Sequence, residues 1–277
     1  MTQNPILTDR SALTRNRRRA GTDFAHFLHD VAAEELHDRL SMVNRTFTDP
    51  ALVTGHKAFW QKNFDSAQIV EDDDTLDLAV QAHDLVIHAM ALHWASDPVG
   101  QLVQARRALR PDGLFLAVFF GGQTLSELRA ALAQAESEVT GGISPRIAPM
   151  GEIRDLGGLL QRAGFALPVA DSVPLTVTYK SAFDLMRDIR AMGEGNALHA
   201  RLRRPTRRAL FTRAAEIYAL HFAAEDPQDA GRIKASFELT VLTGWAPDAS
   251  QQKPLRPGSA AQRLADALGS TETPLEP

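Results

Sequence analysis

Apolar residues recur every three or four positions at Phe24, Phe27, Leu28, Val31, Leu36 and Leu40, the stripe of an amphipathic helix. Residues from about 8 to 46 therefore read as helical, with Asp23 placed to cap the second part. The period then changes. "ALVTG" is a short continuous apolar run, "HKAFWQKNF" a short helix and "AQIV" a second strand candidate. "EDDDTLDLAVQA" is acidic and reads as a loop. In "HDLVIHAMALHW", Asp84 introduces an apolar strand at Leu85 to Ile87. An amphipathic helix starts near Asp97 and Pro98 and stops at "RPDG", where Pro and Gly end it. "LFLAVFF" is a buried strand closed by Gly121 and Gly122.

Thr124 followed three residues later by Glu127 predicts a capped helix, and a further helix ends at Gly164. "LTVTY" and "SFELTVLTGWAP" are the last strand candidates, with two or three helices between them. Strands alternating with helices predict an α/β sheet with mostly parallel strands. The late pair is expected to form an antiparallel edge, with the helices between as an insertion. The expected organisation is an N-terminal helical segment over 1–47, a core over 48–180, a helical insertion over 181–232, a last core strand over 233–250 and a tail over 251–277. A final short helix is expected near 260–268.

Composition narrows the chemistry. The 277 residues suffice for one large α/β domain or two small ones. Cysteine is absent, which excludes disulfides, thiolate nucleophiles and thiolate metal sites. No apolar run is long enough to cross a bilayer. The net charge of −4 gives no general reason to expect nucleic acid. Charge is uneven, however. Arg10, Arg15, Arg17, Arg18 and Arg19 form one cluster, and Arg201, Arg203, Arg204, Arg207 and Arg208 a second. Each is either a solvated helix end or a contact surface for an acidic partner, membrane headgroups or RNA.

"HDLVIHAMALHW", "ALRPDGLFLAVFFGG" and "LLQRAGF" together resemble the class I S-adenosylmethionine-dependent methyltransferases. Within that superfamily, "LHWASDP", "GGQTLSELRAALAQAESEVTGGISPRIAP", "LMRDIRAMGEGNAL" and "GWAPDASQQKPLRPGSA" resemble the complex I assembly factor 5 family, the mitochondrial arginine hydroxylases, and its bacterial relatives. Malonyl carrier-protein methyltransferases are more distant. The resemblance runs from about Asp9 to Leu268 and is weakest from Thr48 to Asp77. It implies a Rossmann-like fold. Members usually carry a loop with several glycines after the first strand, so that the backbone can approach the methionine end of the cofactor. A second strand then ends in an acid that takes the ribose hydroxyls. Here "ALVTGH" stands at that loop with one glycine. Gly55 and Asp84 are only about thirty residues apart, and parallel strands need crossovers of about a dozen residues each. The second strand and its acid are therefore expected to be missing, and the sheet shortened in its first half.

The resemblance implies cofactor contacts from Thr54 and Gly55 in the reduced loop, from Asp72 at the acid that usually meets the adenine amino group, and from His88 after the fourth strand. His93, beside Trp94 in the family signature, is the candidate base. Asp72 also reads as part of a solvated acidic loop, His88 as a satisfied polar residue and Trp94 as packing. His83, His88 and His93 straddle a strand, so no metal site is expected from them. Gly121 to Thr124 is either an anion or substrate loop or a tight turn. "GGISPRIAP" is a lid, a partner contact or a rigid connection.

Three functions remain open. The protein acts on a protein side chain of a respiratory-complex subunit, as the resemblance implies; or it is a non-catalytic assembly protein with a lost cofactor site; or it methylates a small molecule or carrier protein. S-adenosylmethionine is expected to bind weakly or not at all. The family's Asp-Arg opening stands already at Asp9-Arg10, so a bacterial cytoplasmic protein without a presequence is expected. It would meet the membrane only through its partner.

Overall fold

The computed structural model describes residues 6–21, 24–251 and Gly269. Asp23 and the helix expected near 260–268 lie outside the described residues. Eight helices and six strands are described: α1 Arg10–Ala20, α2 Phe27–Ser41, β1 Pro50–Val53, α3 Lys57–Asn63, β2 Gln68–Val70, β3 His83–Ala89, α4 Pro98–Ala108, β4 Leu109–Phe120, α5 Ser126–Thr140, α6 Ile153–Ala163, β5 Ala166–Tyr179, α7 Ala182–Ala191, α8 Arg208–His221 and β6 Ile233–Trp245.

The strands form one sheet in the order β2-β1-β3-β4-β6-β5. β2, β1, β3 and β4 run parallel, while β6 is antiparallel to both β4 and β5. This is the expected α/β Rossmann-like sheet. Its first half is short, and α7 and α8 lie between the last two strands in sequence. Side-chain alternation divides the core in two. Leu114, Leu116, Val118 and Phe120 pack with α2, α5, α7 and α8. Phe115, Ala117 and Phe119 pack with α4 and α6 on the other face.

Local departures from expectation have physical causes. The helical stretch near the start is two helices, because Gly21 takes φ +40 at the end of α1. β5 extends over 14 residues rather than the five of "LTVTY". It is an edge strand, where Pro168 and Pro174 need not donate to a neighbour. Thr124 does not cap α5. Leu125 precedes the helix at φ 56, while the Thr124 hydroxyl donates to the Gly121 carbonyl. Glu127 reaches across to accept from the Ser236 backbone N–H.

The parallel order reverses between β1 and β3, and in open α/β sheets ligands enter the crevice outside the carboxyl ends of strands at such a point. Val53, Val70, Ala89 and Phe120 end the four parallel strands there.

Candidate functional site

Helix α1 lies at the crevice, with Arg17 against Gly55. Ala12 and Leu13 are buried against Trp94, Ala197 and Leu198. Arg10 and Arg17 lie seven residues apart, two helical turns, and so share one face of α1. That face meets the end of β2. Arg17 donates Nη1 to Asp72 Oδ1 at 2.7 Å and Nη2 to Oδ2 at 3.0 Å. Arg10 Nη2 donates to the Asp72 carbonyl at 2.6 Å and lies 3.3 Å from Oδ1. Only 3% of the Asp72 side chain and 9% of the Arg17 side chain are exposed. Burial alone would raise the Asp72 pKa, but the two guanidiniums reverse the effect and hold it well below the usual carboxylate range.

Thr54 is buried at the end of β1, and its hydroxyl accepts from the His56 backbone N–H at 3.2 Å. At Gly55, an added Cβ would lie 1.9 Å from Arg17 Nη1. The guanidinium thus rests directly on the glycine backbone. His56 is stacked on Phe24, ring centroids 4.6 Å apart, and His29 meets it edge-on at 4.8 Å. Burial, then the Arg17 charge, lowers His56 to about 4. His29 is pushed down by burial and by His56, and its Nδ1 accepts from Trp60 Nε1.

The candidate histidines do not converge. His83 contacts the Asp49 carbonyl, His88 the Gln101 side chain and His93 the Glu194 carboxylate. Burial pushes His88 down to about 4, against the Gln101 hydrogen bond. Among the described residues no group of three or more His, Cys, Asp or Glu is arranged to hold a metal ion.

His93 Nε2 lies 3.0 Å from Glu194 Oε2, and Trp94 Nε1 donates to the same oxygen at 2.7 Å. Burial raises the Glu194 pKa, but the facing His93 and Arg17 outweigh it and leave it below its ordinary value. Glu194 follows Gly193, which takes φ +80 where a Cβ would sit 3.1 Å from the Arg17 Cα. Glu194 Oε1, His93 Nδ1 and His56 Nε2 are buried without a hydrogen-bond partner among the described residues. Arg17 and Glu194 were not legible as site residues. Glu194 had a signal, an acid between two glycines in "MGEGN". Arg17 had none beyond its place in a cluster.

The Gly121–Gly122 turn holds an internal anion. A Cβ on Gly122 would lie 2.1 Å from Glu238 Oε2, and Gln123 N–H donates to that oxygen at 3.0 Å. Both glycine turns at this end of the sheet therefore receive a charged side chain of the chain itself.

Residues 30–117 match the family described as "Methyltransferase domain". The mitochondrial arginine-hydroxylase NDUFAF5 of Dictyostelium discoideum is 40% identical over 69% of this chain and 43% of its own length. That of Danio rerio is 38% identical over 72% of this chain and 60% of its own. The chain belongs to the S-adenosylmethionine-dependent methyltransferase superfamily. It also resembles a malonyl acyl-carrier-protein O-methyltransferase of a Methylovorus species, at 28% identity over 90% of this chain and 93% of that protein. The chain spans about half the length of the arginine-hydroxylase relatives it matches.

The superfamily implies S-adenosylmethionine, and a depression of about 390 Å³ lined by Gly55, His56, Glu71 and Asp72 opens at the crevice, with two of the chain's own contacts standing in it. The space beside Gly55 is filled by a guanidinium. Both oxygens of Asp72 are engaged. The second strand expected to be missing is present: the three-residue β2 pairs parallel with β1 and runs straight into Glu71 and Asp72, because a short strand and the seven-residue α3 fit the spacing that a full-length crossover would not. Among the described residues, no helix is long and apolar enough to cross a membrane.

Proposed function

We propose that this chain is an assembly or binding protein of the arginine-hydroxylase lineage, engaging a protein subunit of a respiratory complex without S-adenosylmethionine. One observation carries the reading: the Arg17 guanidinium lies on the Gly55 backbone and ties up Asp72. To enter, the cofactor would have to break a bidentate, charge-assisted pair and leave two charged groups to find new partners. Absence of cysteine accords with a reducing cytoplasm as the place of work. Calorimetry with S-adenosylmethionine and with S-adenosylhomocysteine tests the reading. No heat of binding is expected up to about 1 mM, weaker than roughly −4 kcal/mol. A dissociation constant in the low micromolar range would sink it.

A second reading, chemistry on a protein side chain, is favoured by the His93–Glu194 pair. It has the form of a base oriented by a carboxylate, with His93 Nδ1 left to accept a proton. In that case Thr54, Gly55, Asp72 and His88 would contact the cofactor once Arg17 had swung away. Arg17→Ala would then bind S-adenosylmethionine at least tenfold more tightly than the parent chain.

A further inference from the structure

Three adjoining depressions run along the surface formed by α5, α7, α8 and the segments beside them. The first, about 440 Å³, lies between the end of α5 and the 202–207 segment, with Ile143, Leu202 and Leu210 among its apolar residues. The second, about 320 Å³, shares Arg146 with the first. The third, about 290 Å³, shares Met186, Arg190 and Phe211 with the second. Together they make one groove.

Its charges are of one sign where they are free. Arg19, Arg190, Arg204, Arg207 and Arg208 line it and have no ion-pair partner among the described residues. The acids that line it are already engaged. Glu136 accepts from Arg146 and Ser144, and Glu194 from His93 and Trp94. Ile143 is 70% exposed in the first depression, and Phe183 is 46% exposed in the third. A chain with net charge −4 thus carries, on one face, a groove lined by unpaired arginines and apolar side chains.

We propose that this groove docks an acidic, amphipathic segment of a protein partner. Apolar side chains at helical spacing would seat on Ile143, Met186 and Phe211, and flanking carboxylates would meet the free arginines. Complementary charge would steer the encounter and fix the orientation. Concavity favours a peptide over a lipid surface. A membrane is broad, and its ligands insert protruding apolar faces, whereas these apolar residues line depressions shared with unpaired guanidiniums. The inference rests on the binding-protein reading above and gives that protein its docking surface.

A labelled helical peptide with leucines at i, i+3, i+4 and i+7 and glutamates on either side is the probe, titrated into the full chain and followed by anisotropy. The glutamate peptide is expected to bind, and its lysine-for-glutamate counterpart is not. The variant R190E/R204E/R207E is expected to weaken binding at least tenfold with an unchanged melting temperature. Ile143→Asp, at an exposed position, is expected to weaken it with no loss of folding. No binding up to about 1 mM, or equal binding of the two peptides, overturns the proposal. So does displacement of the peptide by phosphatidylserine vesicles that sediment the protein, which would assign the groove to a lipid surface. The peptide titration is made without cofactor. Its failure leaves the cofactor-free reading standing, while cofactor binding in the calorimeter would overturn that reading without touching the groove.

Discussion

Arg17 has both terminal nitrogens on Asp72 and little of its side chain exposed. Arg207 is exposed, and no carboxylate among the described residues pairs with it. The two come from segments of similar composition, each with five arginines. What separates them is the reach of a buried acid. Arg10 and Arg17 face the end of β2, and Arg201 and Arg203 face Asp9. Arg204, Arg207 and Arg208 face a groove whose own acids are engaged. A cluster of like charge is therefore not one feature. Part of it belongs to the fold, and the remainder is available to something outside.

Removing Arg17 should have the largest effect. Asp72 would stay buried with Arg10 alone, and breaking one side of a buried pair costs about 3–5 kcal/mol. Urea unfolding of Arg17→Ala measures it. The double variant R17A/D72N should lose less than the sum of the two single losses. A loss under about 1 kcal/mol for Arg17→Ala would erase the contrast with Arg207.

Acid should act next, and on the crevice rather than the groove. His56 and His88 are held neutral, each with a pKa lowered to about 4 in the fold. The unfolded chain therefore binds their protons first as pH falls. Their contribution is whole above about pH 6.5 and is lost progressively down to about 4, at up to roughly 3 kcal/mol each. Urea midpoints from pH 7 to 4.5 should fall. His88→Gln, if it keeps the fold, should flatten part of that slope. A midpoint independent of pH over this range would mean that these rings are solvated.

Within the second cluster the contrast should reappear at smaller scale. Arg201 donates to Asp9 Oδ2 at 2.9 Å, and both side chains are largely buried. Arg201→Ala should cost about 1.5–3 kcal/mol, the value of a hydrogen bond to a charged group. Arg204→Ala and Arg207→Ala should stay within about 0.5 kcal/mol of the parent. Equal losses at all three positions would make the whole cluster structural and leave the groove without free charge.

The strands and most helices were legible because their signals are local: the apolar runs of β3 and β4, the Asp97-Pro98 start of α4, the Gly164 stop of α6. The shortening of the first half was legible from the spacing between Gly55 and Asp84, but the loss of the second strand inferred from it was not borne out, since a three-residue strand remains beside β1. β5 was read too short because Pro168, Asp171 and Pro174 interrupt its apolar pattern, which only an edge position tolerates. Asp72 lay in a run of acids where nothing local distinguishes it from Asp73. Its burial depends on guanidiniums 55 and 62 residues earlier. His93 meets a carboxylate 101 residues away. Such pairs leave no periodic trace, so the ion pair laid over the Gly55 turn was visible only in three dimensions.

The latch on α1 has a consequence for the order in which the chain takes shape. Asn16 donates to the Gly195 carbonyl, 179 residues further on, and the Asp9 backbone N–H donates to that of Ala197. At about 5–20 residues per second, a ribosome needs roughly 10–40 s to make that intervening stretch. Throughout this interval α1 lacks the segment that holds its far side, while Asp72, only 55 residues after Arg17, is made much earlier. The partners of α1 thus become available in two instalments, and its far side can be fastened only after synthesis has passed residue 197.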